Sequence, residues 1–376
     1  MIDLYWPGDD RAGEHFDQES FVRALVGVEE AWLARLGHPA DLQALVEPHH
    51  LEWLSQEAEL GGNPVIGLVE LLRDGLTGEA ARWLHRGLTS QDVLDSALMR
   101  LAEGAVADLR ADLSRLGTAL VALAVAHRDT PMVGRTITQH AVPTTFGLRV
   151  AQWLAALVDA DEQLAALALP GQVGGAAGTR AAMVELGVDV ELEPVPWHTV
   201  RTPVTRLGDA LVTTTDALVR VANDVLVMSR PEIGELAEGR PGGSSTMPGK
   251  ANLVLSVLVR RAALTTPQLA ATLHVAAASQ VDDRADGGWH AEWATLRDLV
   301  RRTLTAASQS VELVGGLQVH ADQMAATLAS AEEAVHAEQR AMIKLTGRDP
   351  LPSYDGQAGE IVDTVVLRAR RHWRTA

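Results

Sequence analysis

The sequence predicts an all-α protein built around a bundle of long helices. Three observations carry this. Ala, Leu, Val and Arg dominate a chain with only 4% aromatic residues, and the alternation of a half-buried strand is scarce. Several stretches repeat apolar residues at helical period over spans well beyond the ordinary helix of about 11–12 residues. Clusters of glycine and proline fall between those stretches.

Residues 101–127 carry Leu109, Leu113, Leu116, Leu120 and Leu123 at three- and four-residue steps and stop before Thr130-Pro131. Pro143 is expected to open a helix to about Leu169, closed by Pro170-Gly171. Residues 205–228, 253–279, 293–314 and 321–345 read the same way. Many of these segments have few charges, so they bury more than one face and call for partner subunits. The breaks are Gly61-Gly62-Asn63-Pro64 and residues 171–178, 241–249 and 287–288. They divide the chain into an N-terminal helical domain at 1–100, a central bundle at 101–345 and a short C-terminal tail, a reduced third domain, at 346–376.

Composition limits the function. A formal charge of −17 argues against nucleic acid and anionic membrane as partners. With 47% apolar residues the chain can bury a large core. No run of about 18 uninterrupted apolar residues is present to span a membrane. The start, Asp3 followed by Trp6-Pro7-Gly8-Asp9-Asp10, lacks the basic and apolar regions of a secretory signal, so a cytoplasmic location is expected. There is no cysteine, no HExxH and no histidine cluster apart from His49-His50, so no metal is expected. No glycine fingerprint follows a strand, and no organic cofactor is expected.

One count stands out. Of 32 basic residues only Lys250 and Lys344 are lysines. Surface charge here is written with arginine, so a lysine in a glycine-rich loop has another reason to be there. That loop is Gly242-Gly243-Ser244-Ser245-Thr246-Met247-Pro248-Gly249-Lys250-Ala251-Asn252. Its glycines let backbone amides approach an anion, its serines offer hydroxyls, and Asn252 opens toward a helix whose N-terminus favours negative charge. The bland alternative is a mobile interhelical loop.

As an ordered string the loop resembles the signature of the fumarase/aspartase superfamily. Two further segments follow the same family order. Leu84-His85-Arg86-Gly87-Leu88-Thr89-Ser90-Gln91-Asp92-Val93-Leu94-Asp95 resembles the segment that binds a substrate carboxylate, and Gly134-Arg135-Thr136-Ile137-Thr138-Gln139-His140-Ala141-Val142-Pro143 the middle segment. Gly174-Gly175-Ala176-Ala177-Gly178-Thr179 and Trp289-His290-Ala291-Glu292-Trp293 look more like the muconate cycloisomerase branch.

The resemblance implies a long-helix bundle forming a homotetramer, with sites shared between copies and a small polycarboxylate as substrate. It implies that Ser244 abstracts the proton beside a carboxylate and that Lys250 and Asn252 hold the carboxylate as it gains enolate character. Thr89, Ser90 and Gln91 would form a second carboxylate cradle, with Gln139 and Ser245 at substrate-contacting positions. His85 and His140 adjoin these motifs, and Arg11 is a further candidate for a polyanionic substrate.

Two departures discriminate within the superfamily. Fumarases, argininosuccinate lyases and adenylosuccinate lyases have a histidine at the position of Ile137, polarised by a glutamate at that of Val257. The histidine protonates a poor leaving group. A carboxylate, with a conjugate acid near pKa 4, needs no such help. The expected reaction is therefore closure of 3-carboxy-cis,cis-muconate to a carboxymuconolactone. The alternatives are a lyase expelling another weak base, such as nitrite, from a substituted succinate, and a non-catalytic helical scaffold. Ile137 and Val257 are expected to face one another or line one apolar wall of the site, within or across subunits.

Overall fold

A computed structural model describes residues 3–189, 195–284 and 286–374. Helices α1 (Gln18–Arg35), α2 (His50–Gly61), α3 (Val65–Gly75), α4 (Gly78–Trp83) and α5 (Ser90–Ala126) lead into a hairpin of β1 (Pro131–Thr136) and β2 (Gln139–Thr145). Then come α6 (Phe146–Ala165), α7 (Ala181–Leu186), α8 (Thr202–Met228), the short β3 (Leu236–Ala237), α9 (Val254–Ala278) and α10 (Gly287–Gly315). The chain ends with β4 (Gln318–Val319), α11 (Ala321–Ser330), α12 (Glu332–Val335), α13 (Ala337–Thr346) and α14 (Ala358–Trp373). The all-helical class holds, since among the described residues the strands are confined to two small antiparallel pairs.

The chain forms two compact units that interleave along the sequence instead of following one another. The first comprises Met1–Asp108, Ala166–Leu211 and Thr266–Thr305, the second Leu109–Ala165, Val212–Thr265 and Ala306–Ala376. Their limits fall inside α5, α8, α9 and α10.

In the first unit α1 starts where Asp17 accepts a bond from the Ser20 amide at 2.8 Å. It then buries Leu25, Val26, Trp32 and Leu33. Arg301 fixes the N-terminal turn, donating to Asp9 from Nε at 3.0 Å and from Nη2 at 2.7 Å. In the second unit Leu109, Leu113, Leu116 and Leu120 of α5 are buried, as their spacing predicts.

Two helix predictions need correction. Pro143 does not open α6: it lies in β2 opposite Val133, and α6 starts at Phe146. The helix begins later because the Phe146 amide donates to the Thr130 carbonyl at 2.9 Å and the Gly147 amide to the His127 carbonyl at 2.8 Å. Gly147 permits this approach, since a Cβ there would lie 2.6 Å from the Arg128 Cα. The β1–β2 hairpin was invisible to alternation because every β2 side chain before Thr145 is exposed or half-buried. The second correction is 321–345, which is three helices broken at Ala331 and His336. Packing of α11 on β1 and of α12 on β2 overrides local helix preference.

The 346–376 region contains α14, which packs along α6 in the second unit and buries Val362, Val366 and Ala369. Arg128 grips Asp363 at 2.8 and 2.7 Å, and buried Asp161 accepts from His372 at 2.6 Å and Trp373 at 3.1 Å.

Candidate active site

In the first unit the threonine–serine segment becomes the start of α5. Asp92, fully buried, organises it. Its carboxylate accepts from the Thr89 amide at 3.0 Å, the Gly174 amide at 2.7 Å and the Gly175 amide at 2.9 Å, and lies 2.8 Å from Nε2 of buried His198. The glycines at 174 and 175 are needed for contact: a Cβ on Gly174 would meet the His198 ring at 2.5 Å, and Gly175 has φ +71°. One turn along α5, Asp95 accepts from Arg201 at 2.7 and 2.9 Å, from Gln172 at 2.7 Å and from the Trp289 indole at 3.0 Å. Arg201 also donates to Glu292 at 2.6 Å. Asp95, Arg201 and Glu292 are all buried. Burial raises the Glu292 carboxyl above the usual range, and the Arg201 bonds offset this only in part.

The motifs at 174–179 and 289–293 thus brace the start of α5, which carries Thr89, Ser90 and Gln91. Sequence reading named them but missed Asp92, Asp95, His198 and Arg201 as their partners. The available signal was the acid pair three residues apart at the start of an apolar helix. Of the cradle candidates, Thr89 is buried, Ser90 is half-buried and Gln91 is wholly buried, its amide donating to the His198 carbonyl at 2.9 Å. His85 adjoins the cradle, with Nδ1 2.6 Å from Oε1 of Glu29. Arg11 lies in the turn Asp9–Ala12, two residues from the Asp9–Arg301 clamp.

The second unit holds the serine loop. Gly242 and Asn252 exchange two backbone hydrogen bonds of 2.8 Å, so the loop between them is closed at its base. The Asn252 side-chain amide adds a bond of 2.6 Å to the Gly243 carbonyl. Ser244 Oγ accepts from the Met247 amide at 3.1 Å and the Thr246 amide at 3.4 Å. Ser245 and Lys250 are exposed. The N-terminus of α9 does not offer its amides to a ligand as expected. Buried Glu238 takes them, accepting from Leu255 at 3.3 Å and Ser256 at 2.8 Å.

Gln139 and His140, both exposed, start β2 on the hairpin with Arg135, which is anchored bidentately on buried Glu235 at 2.9 and 2.7 Å. Ile137 and Val257 form no buried apolar wall within the chain: they are 95% and 54% exposed. Ile137 occupies the tip of the hairpin, where turn geometry points it outward. Among the described residues no group of three or more His, Asp or Glu is placed to hold a metal ion, and no helix is long and apolar enough to cross a membrane.

A profile of the lyase family matches residues 56–264, which contain the cradle, the hairpin and the serine loop. The chain belongs to the lyase family. Within this family, the fumarase/aspartase superfamily, it is 42% identical to a nitrosuccinate lyase of Streptomyces davaonensis over 82% of this chain and 73% of that one. It is 39% identical to a 3-carboxy-cis,cis-muconate cycloisomerase of Bradyrhizobium diazoefficiens over 76% of this chain and 67% of that one. The crystal structure of a fumarate lyase from Mesorhizobium sp. BNC1 superposes with a TM-score of 0.79 at 29% identity, covering 99% of this chain and 88% of that one. As a member of the lyase family the chain is an enzyme.

Proposed function

We propose that this enzyme expels a weakly basic anion from the carbon next to one that carries a carboxylate, with Ser244 as the base. The observation that carries the reading is the Ser244 hydroxyl oxygen accepting two backbone amides. A serine hydroxyl is a poor base unless its oxyanion is stabilised, and amide donors preorganised around Oγ do that without reorganising during the reaction.

The substrate we favour is nitrosuccinate, after the relative at 42% identity. Ser244 Oγ takes the proton from the carbon beside one carboxylate. The electron pair left there becomes the new C–C double bond, the C–N bond breaks, and nitrite leaves with its electrons, giving fumarate. During this step Lys250 and the remaining amide hydrogen of Asn252 hold the carboxylate that gains enolate character. Thr89 and Ser90 hold the other carboxylate. Nitrite is a weak base and leaves without a proton, which agrees with Ile137 and Val257 standing where fumarases and related lyases have a histidine–glutamate pair.

The second reading is closure of 3-carboxy-cis,cis-muconate to its lactone, favoured by the Trp289–Trp293 motif and by the cycloisomerase relative at 39% identity. There the substrate's own carboxylate adds to the double bond and Ser244 delivers the proton. Chelator-treated enzyme should be given each compound in parallel. Nitrite and fumarate appearing in equal amounts support the first reading, and loss of diene absorbance the second. Turnover of neither rejects both.

A further inference from the structure

The turn that leads into the carboxylate cradle is held by one face of α1. Trp32 donates its indole N–H to the Arg86 carbonyl at 2.7 Å, and Glu29, three residues earlier on the same face, meets Nδ1 of His85 at 2.6 Å. Glu29 has no solvent exposure. Its Oε2 is buried without a hydrogen-bond partner, so among the described residues the imidazole is the only side chain bonded to this carboxylate. His85 has φ +62°. A turn that needed only to close would carry glycine or asparagine there, because a larger L-residue is strained in that region. This one carries histidine, with its ring tied back to an acid and its side chain still 20% exposed.

We infer that Glu29 is a positioning residue and that His85 contacts the substrate carboxylate held at Thr89–Ser90. The inference rests on the lyase reading. An ionised carboxylate accepts only, so the ring must donate from Nδ1, and Nε2 is the nitrogen left for the ligand. The backbone strain aims the ring, and the buried acid prevents it from flipping. The class of ligand is a di- or tricarboxylate: with Nδ1 turned to Glu29, a hydrogen on Nε2 is the donor left for an oxygen ligand, and a carboxylate is the acceptor it bonds most strongly.

His85→Gly is the natural test because glycine adopts φ +62° freely; it also leaves buried Glu29 without its partner, so the melting temperature should fall, and kinetics are measured well below it. KM should rise roughly 10- to 100-fold, the loss of one charge-assisted hydrogen bond, with a smaller effect on kcat. Added imidazole should restore part of the loss. Glu29→Gln keeps an acceptor for Nδ1 and should cost little. Glu29→Leu releases the ring and should match His85→Gly, and the double variant should be no worse than either single one. A second arm needs no turnover: diethyl pyrocarbonate modification of His85, followed by mass spectrometry, should be slowed by fumarate or by cis-aconitate. If the wild-type enzyme converts neither nitrosuccinate nor 3-carboxymuconate, the functional reading has failed and this arm alone judges the pair. An active enzyme whose His85→Gly variant has normal KM and kcat, or a His85 that neither acid protects, overturns the proposal.

Discussion

Ser244 and Lys250 differ in what they contribute, and kinetics separate them. In the proposed reaction Ser244 acts on the proton, so Ser244→Ala is expected to lower kcat by at least about 100-fold. Its melting temperature should be unchanged, because the loop around it is exposed or half-buried and adds little to the core. Lys250→Met removes charge from ground and transition states alike and should damage both kcat and KM. Lys250→Arg should recover little, since a planar fork does not reproduce a compact ammonium. Near-normal turnover by Ser244→Ala would reject its role as base. Glu292 is a residue of stability. Burial raises its carboxyl, with Arg201 beside it as partial compensation. A raised folded value means that its contribution is fully present below the unfolded carboxyl value of about 4.3 and is lost as pH rises through the folded value. Glu292→Gln keeps the shape and an acceptor for Arg201 but not this penalty. Its melting temperature, measured against wild type between about pH 5 and pH 8, should therefore shift in the variant's favour as pH rises. A shift the other way would mean that attraction to Arg201 outweighs burial.

Among the elements, the long helices were legible because their apolar period is repeated over many turns, as Leu109 to Leu120 show. The hairpin was not. Its two-residue turn has Ile137 at φ +49° and Thr138 at φ +66°, a mirror-image turn that normally carries asparagine or glycine. Two β-branched residues hid it. The loop and the Thr89–Gln91 segment stood out as motifs of the family, whereas the buried polar groups that fix them did not. Asp92 gathers partners from Gly174, Gly175 and His198, and no local pattern records contacts that distant in sequence. Strain at Ile137 is testable. Ile137→Asn relaxes the turn and removes an exposed apolar side chain, so urea denaturation should show a gain on the order of 0.5–1 kcal/mol. Ile137→His should not confer hydration of fumarate, because Val257 supplies no carboxylate to polarise the new ring. Fumarase activity in that single variant would undo the argument from a weakly basic leaving group.

At the scale of the molecule, exposure along α9 is the feature to explain. Val254, Val257, Leu264 and Val275 are 39%, 54%, 65% and 69% exposed on a helix that also buries Leu255, Val259, Ala262 and Leu273. A helix apolar on both faces is half-finished in one chain, and further copies of the same chain are its natural cover. We propose the homotetramer that the superfamily resemblance implies, with each site completed by residues from different copies. The cradle belongs to the first unit and the serine loop to the second, so the two can be inactivated separately. One variant would carry Ser244→Ala and the other Thr89→Ala with Ser90→Ala, each expected to be nearly inactive alone. Refolded together, they form mixed assemblies in which some sites draw an intact loop from one copy and an intact cradle from another. Activity should return to a fraction of wild type and vary with the mixing ratio, peaking near equal amounts. Native mass spectrometry on the same samples reports whether mixed tetramers are present. Mixed tetramers without recovered activity would place each whole site within one chain and reject the shared arrangement.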